Sequence, residues 1–176
     1  MAKTLEERIQ AIEDERALEK LMYRYWRTCD RQDPEGVKDC FDPDGVFIDF
    51  EGFPPYDNRD DFAAMFKRLA CLPNIQDMHH GQNPEVELTG ADTATGKFDL
   101  LFYQIETETR RLIQASVRYD NEFVRKNGRW YIKRCISRQN YNVVRMVGED
   151  GKDTVVAIRK PGFFEFGPSI SVFKPE

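Results

Sequence analysis

The stretch 117–135, VRYDNEFVRKNGRWYIKRC, decides the fold. A two-residue hairpin turn needs positive φ at both central positions, and Asn127-Gly128 between Lys126 and Arg129 is the pair that tolerates it best. The chain alternates with period two on both sides of that turn, over 110–126 and 129–139, so two long antiparallel strands meet there. Moving outward toward the N-terminus, the same period recurs over 94–105, 85–89 and 77–81, as in a meandering antiparallel sheet. Strands of ten or more residues must bend to stay compact, so the sheet is expected to be strongly curved.

Before residue 77 the period changes. Leu5, Ile9, Ile12, Leu18, Leu21, Met22, Tyr25, Trp26 and Cys29 recur at three- and four-residue steps with charges between them, and residues 5–28 hold no Gly or Pro. Thr4 and Glu7 form a capping box at the start. This predicts one long helix lying inside the concave side of the sheet. Asp33-Pro34 opens a second, short helix that carries Val37, Cys40 and Phe41 inward. The turn Asp42-Pro43-Asp44-Gly45 releases an extended run, 46–50, and a further helix follows at roughly Asp60 to Leu69. Helices first and strands later indicate α+β, with one apolar pocket between the layers.

Composition narrows the function classes. One domain is expected from 176 residues, of which 40% are apolar. The net charge of −5 comes from acids and bases mixed along the chain, with no basic stripe, which argues against nucleic acid or an anionic membrane as partner. Met1 to Arg8 has no apolar core of a signal sequence, and no window is long and apolar enough to span a bilayer, so a cytoplasmic protein is expected. Cys29, Cys40, Cys71 and Cys135 are scattered and read as buried thiols. With His79 and His80 the only histidines, no zinc site and no cofactor are expected.

Four features could carry chemistry. Asp30 ends the apolar stripe of the first helix; it is either a solvated acid or one holding an imidazole. In Asp77-Met78-His79-His80-Gly81 one histidine faces inward and the other outward, and the pattern alone does not choose between them. Tyr25 is either a core residue or a phenol donating into a pocket. Ser137 and Gln139 share a face with Cys135, pointing either to a ligand or to solvent.

Taken together, the helix with Tyr25-x4-Asp30, then Met78-His79-His80-Gly81, then the hairpin closing on Asn127-Gly128-Arg129-Trp130 resembles the SnoaL-like branch of the nuclear transport factor 2 fold. The resemblance covers about residues 5 to 141 and is greatest to its lyases of the bile acid 7α-dehydratase, scytalone dehydratase and hexachlorocyclohexane dehydrochlorinase types. It implies a domain over 1–141, leaving 142–176 as an extension whose stretch Phe163-Phe164-Glu165-Phe166 is too apolar for a solvated tail and is expected to be a lid or a subunit contact. It implies a dyad of Asp30 and His79, Tyr25 as assisting phenol, and a pocket face of Leu100, Phe102, Ala115, Val117, Cys135, Ser137 and Gln139. Phe102 and Gln139 stand where the bile acid enzyme has an acid and an arginine, so a thioester-linked sterol is not implied. The expected activity is a cofactor-independent dehydratase or dehydrohalogenase acting on a cyclic apolar small molecule, in a homo-oligomer, dimer or trimer. The alternatives are an isomerase of the ketosteroid isomerase type and a non-catalytic ligand-binding module.

Overall fold

The structure, a computed structural model, describes residues 4–159. Three helices, α1 (Leu5–Asp30), α2 (Pro34–Asp39) and α3 (Arg59–Ala70), pack with six strands: β1 (Phe47–Phe50), β2 (Ile75–Leu88), β3 (Thr93–Glu106), β4 (Arg111–Lys126), β5 (Arg129–Val147) and β6 (Asp153–Arg159). The Thr4–Glu7 capping box is formed, and Asp33 caps α2 by accepting the Gly36 N–H at 2.9 Å. Asn127 and Gly128 take φ of 50° and 75°, which makes the predicted turn.

β2, β3, β4 and β5 form the antiparallel meander, in sheet order β1-β5-β4-β3-β2. The sheet as a whole is mixed, because β1 adds to β5 in parallel with Phe47 opposite Arg134. Alternation over residues 46–50 shows that the run is a strand and carries no information on direction. The direction is set earlier, where Phe41 bridges Ile132 in parallel and leads 41–50 along β5. β5 runs on without a break to Val147, and β6 pairs with its far half after the turn at Gly151. The expected division at residue 141 therefore falls inside a strand, while Phe163 to Phe166 lie outside the described residues. Bulges at Ser116/Val117 and Glu122/Phe123 bend the long strands around the helices.

The core lies between α1 and the concave face and includes Leu18, Met22, Trp26, Phe98, Phe123 and Ile132. Leu5, Ile9 and Ile12, expected to face the core, are exposed. Burial of α1 begins at Asp14, which accepts from Trp130 Nε1 at 3.0 Å and Arg125 Nη1 at 2.7 Å and so pins the helix to the hairpin. Among the described residues no helix is long and apolar enough to cross a membrane.

Candidate active site

The site begins with a close approach. A Cβ on Gly81 would stand 1.9 Å from Cζ3 of Trp26, so only glycine lets α1 lie this near β2. From Trp26 one helical turn leads to Asp30, a rise of about 6 Å, and from Gly81 two strand residues lead back to His79, about 7 Å. The steps match, and Asp30 arrives opposite His79. Gln32 ties the helix end down by donating Nε2 to the carbonyls of Leu72 and Ile75 at 3.0 and 2.7 Å.

A carboxylate at the C-terminal end of a helix is disfavoured by the dipole and must be held by donors. Asp30 has them: the His79 backbone N–H donates to Oδ1 and Oδ2 at 3.1 and 3.2 Å, and His79 Nδ1 lies 2.5 Å from Oδ1. An ionised carboxylate only accepts, so Nδ1 carries the proton and a neutral ring keeps its lone pair on Nε2. Nε2 has no hydrogen-bond partner among the described residues. The imidazole rests on Phe102, ring centroids 4.9 Å apart. Alternation sends His80 to the outer face, beside Tyr103.

His79 opens on a cavity of about 220 Å³. Tyr25, Leu100, Phe102, Ala115, Val117, Ser137 and Gln139 line it. Cys135 does not: it is fully buried in the core, and burial pushes its thiol above the usual range. Tyr25 is 3% exposed, with its ring edge-on to Phe41 at 5.3 Å. Burial, with Cys29 one turn on, raises its phenol well above the ordinary value.

Several lining residues were missed in the sequence. α3 supplies a wall of Phe62, Met65, Phe66 and Leu69, readable in principle from its helical period. Asn142 and Val144 turn inward because Asn140 is left unpaired at a bulge, where pairing steps from Val117–Gln139 to Ser116–Tyr141. Asp77 was the most legible omission, since it lies two residues from His79 on the same strand face. It is 8% exposed and accepts from Gln104 Nε2 at 2.9 Å. Burial raises its carboxyl above the usual range. Among the described residues no group of three or more His, Cys, Asp or Glu is arranged to hold a metal ion.

Solved structures similar to this chain share its fold. A candidate scytalone dehydratase of Novosphingobium aromaticivorans DSM 12444 is 18% identical with a TM-score of 0.69, over 86% of this chain and 93% of the other. A type 2 hexachlorocyclohexane dehydrochlorinase is 20% identical, TM-score 0.68, over 92% and 99%. A ketosteroid isomerase-like protein from Erwinia carotovora atroseptica SCRI1043 is 17% identical, TM-score 0.64, over 72% and 96%. No curated protein matches the sequence. At these identities the likeness speaks for the cone-shaped fold alone, while the SnoaL-like domain matches residues 10–136 directly. The chain, folded as a curved sheet around a helix with a cavity at its open end, belongs to the SnoaL-like domain family.

Proposed function

We propose that this chain is a cofactor-independent lyase that abstracts a proton from carbon next to an activating carbonyl and expels a group from the neighbouring carbon. One observation carries the reading: an imidazole bonded through Nδ1 to a carboxylate at 2.5 Å, with its other nitrogen unpartnered among the described residues, on the wall of an apolar cavity. His79 Nε2 takes the proton. Asp30 keeps the tautomer and balances the imidazolium. Tyr25, with Ser137 or Gln139, would polarise the carbonyl oxygen, a role supported by their place in the cavity lining. The aromatic and aliphatic lining suits a small to medium cyclic substrate. A homo-oligomer is also part of this reading, supported by the half-exposed Met78, Ile105 and Tyr141 on the strands; sedimentation of a monomer at micromolar concentration would count against it.

The test is a screen of hydroxylated and halogenated ring compounds with product mass as readout, since elimination loses water or acid and isomerisation loses nothing. On the compound found, His79→Ala is expected to lose about 10²-fold to 10⁴-fold in turnover. Asp30→Asn should be comparably severe, and the double variant hardly worse, because a unit is being removed. His80→Ala should stay near wild type. Full activity in both histidine variants removes the mechanism.

A further inference from the structure

The cavity holds a second acid that the dyad does not use. Asp77 and His79 are alternate residues of one strand face, so their side chains stand about 7 Å apart. That span brackets two adjacent carbons of a substrate with a hydrogen bond at each end. Directly across the sheet, Asp77 pairs with Gln104 and His79 with Phe102. Gln104 Nε2 donates to Oδ1 of Asp77, while Oδ2 has no hydrogen-bond partner among the described residues, and the residue lines the cavity.

Resting on the elimination reading above, we propose that Asp77 is the general acid of the reaction, donating a proton from Oδ2 to a departing hydroxyl, and that the substrate is therefore a cyclic β-hydroxy carbonyl compound.

The step balances. His79 Nε2 removes the proton on the carbon next to the carbonyl, that electron pair forms the C=C bond, the neighbouring C–O bond breaks, and the oxygen leaves as water with the Asp77 proton. His79 has then gained one proton and Asp77 has lost one. Loss of a proton from the imidazolium to solvent and uptake of one by Asp77 restore the resting state. Hydroxide is a poor leaving group and needs this proton, whereas chloride departs without one. An acid opposite the base thus points to dehydration in preference to dehydrohalogenation.

The protonation that this role requires is supported by the groups around Asp77. Burial raises its carboxyl, and the charge of Asp30 on α1 adds to that, while the Gln104 hydrogen bond and His79 act the other way. The remaining titratable neighbours are thiols, Cys29 on α1 and Cys71 after α3, both held up by burial. Tyr25 is the competing donor, but its phenol is a weaker acid than usual.

The experiment uses the full chain and a panel of matched cyclic β-hydroxy and β-chloro ketones, with wild type, Asp77→Asn and His79→Ala. The expected result is a loss of at least about 10²-fold for Asp77→Asn on the hydroxy compounds and less than about tenfold on the chloro compounds, the range of an acid that serves one leaving group. His79→Ala should lose both. Equal losses of Asp77→Asn on both series, or none on either, overturn the acid role and leave the dyad standing if His79→Ala is inactive. Activity in His79→Ala sinks the base and not the acid, and turnover of no member of the panel sinks both. Carboxyl ¹³C NMR gives a readout without substrate: the signal missing in Asp77→Asn should remain protonated above the ordinary carboxylate range in wild type. An ordinary titration near pH 4 overturns the proposal.

Discussion

Gly81→Ala should disconnect the site without touching any group in it. Two effects of opposite sign compete. Replacing glycine at an unstrained position stabilises by about 0.4–1 kcal/mol through the unfolded chain. Against this, the new Cβ would meet Cζ3, Cε3 and Cη2 of Trp26 at 1.9, 2.5 and 2.8 Å. Trp26 is 2% exposed and boxed edge-on by Phe98 and Tyr119, centroids 5.8 and 5.6 Å away, so the indole cannot swing aside. Overpacking of this kind costs about 1–3 kcal/mol, and the upper part of that range applies where the obstacle is a boxed ring. The net is a loss of about 1–2 kcal/mol, or about 2–8 °C in Tm for a chain of this length. Because helix and strand must part at Trp26 and Gly81, the Asp30–His79 bond one step along should loosen as well, and turnover should fall more than stability does. Urea unfolding of Gly81→Ala, Trp26→Leu and the double variant tests this, since a smaller ring makes room for the methyl. The expected coupling is at least about 1 kcal/mol in favour of the double variant. Additive losses, or a Gly81→Ala protein as stable and as active as wild type, would refute the idea that this approach positions the dyad.

Asp14→Ala strips the buried Trp130 N–H and Arg125 of their shared acceptor and should cost about 2–3 kcal/mol in urea unfolding, with Asp14→Asn recovering much of it through its carbonyl oxygen. For Glu106, burial raises the carboxyl but hydrogen bonds from Thr109, Asn74 and the Glu108 N–H outweigh it and bring its pKa to about 2. Glu106→Gln should therefore be less stable than wild type at neutral pH, and the gap should close as pH falls from the ordinary carboxylate range toward 2. Asp77 has the reverse sign: its folded-state pKa is raised, so the wild type loses stability as pH climbs above the unfolded value of about 3.9. Asp77→Asn should match wild type in acid and exceed it at pH 7, and a variant that is less stable at pH 7 contradicts the sign.

The meander was legible because it depends on local pattern. Asn127-Gly128 announces its turn by the φ values it tolerates, and the period of two orders the strands that follow. Alternation could not choose between His79 and His80; the family resemblance pointed to His79, and the contact with Asp30 that singles it out in the structure spans 49 residues. β1 ran parallel because of a bridge at Phe41 and Ile132, again a long-range fact. The inward turn of Asn142 follows from a bulge at Asn140 that no turn residue marks. Cys135 shares a strand face with Ser137, yet it lies too deep in the cone to meet the cavity. Face is a property of sequence, whereas depth depends on where the helix ends.

Two polar groups in the cavity wall are available to a ligand. Gln104 Oε1 and Asn142 Oδ1 are buried without a hydrogen-bond partner among the described residues, and both residues line the cavity with Asp77. Each such group costs about 1–3 kcal/mol if left unpaired, a large fraction of a domain's total stability. Leucine or methionine at these positions would avoid that cost and pack against Ile113 and Val144. Toward the hairpin, the buried acid Asp42, 1% exposed, is held by Lys126 and Lys133 at 2.5 and 3.1 Å, although Asn121 Oδ1 is also buried without a partner among the described residues. In the cavity wall, the unpaired acceptors of Gln104 and Asn142 are what a ligand's own donors would complete. A non-catalytic binding module would need those acceptors too. It would have no use for an imidazole whose tautomer is set by a carboxylate at the end of a helix, where the dipole works against it, and that is why the enzyme reading is preferred.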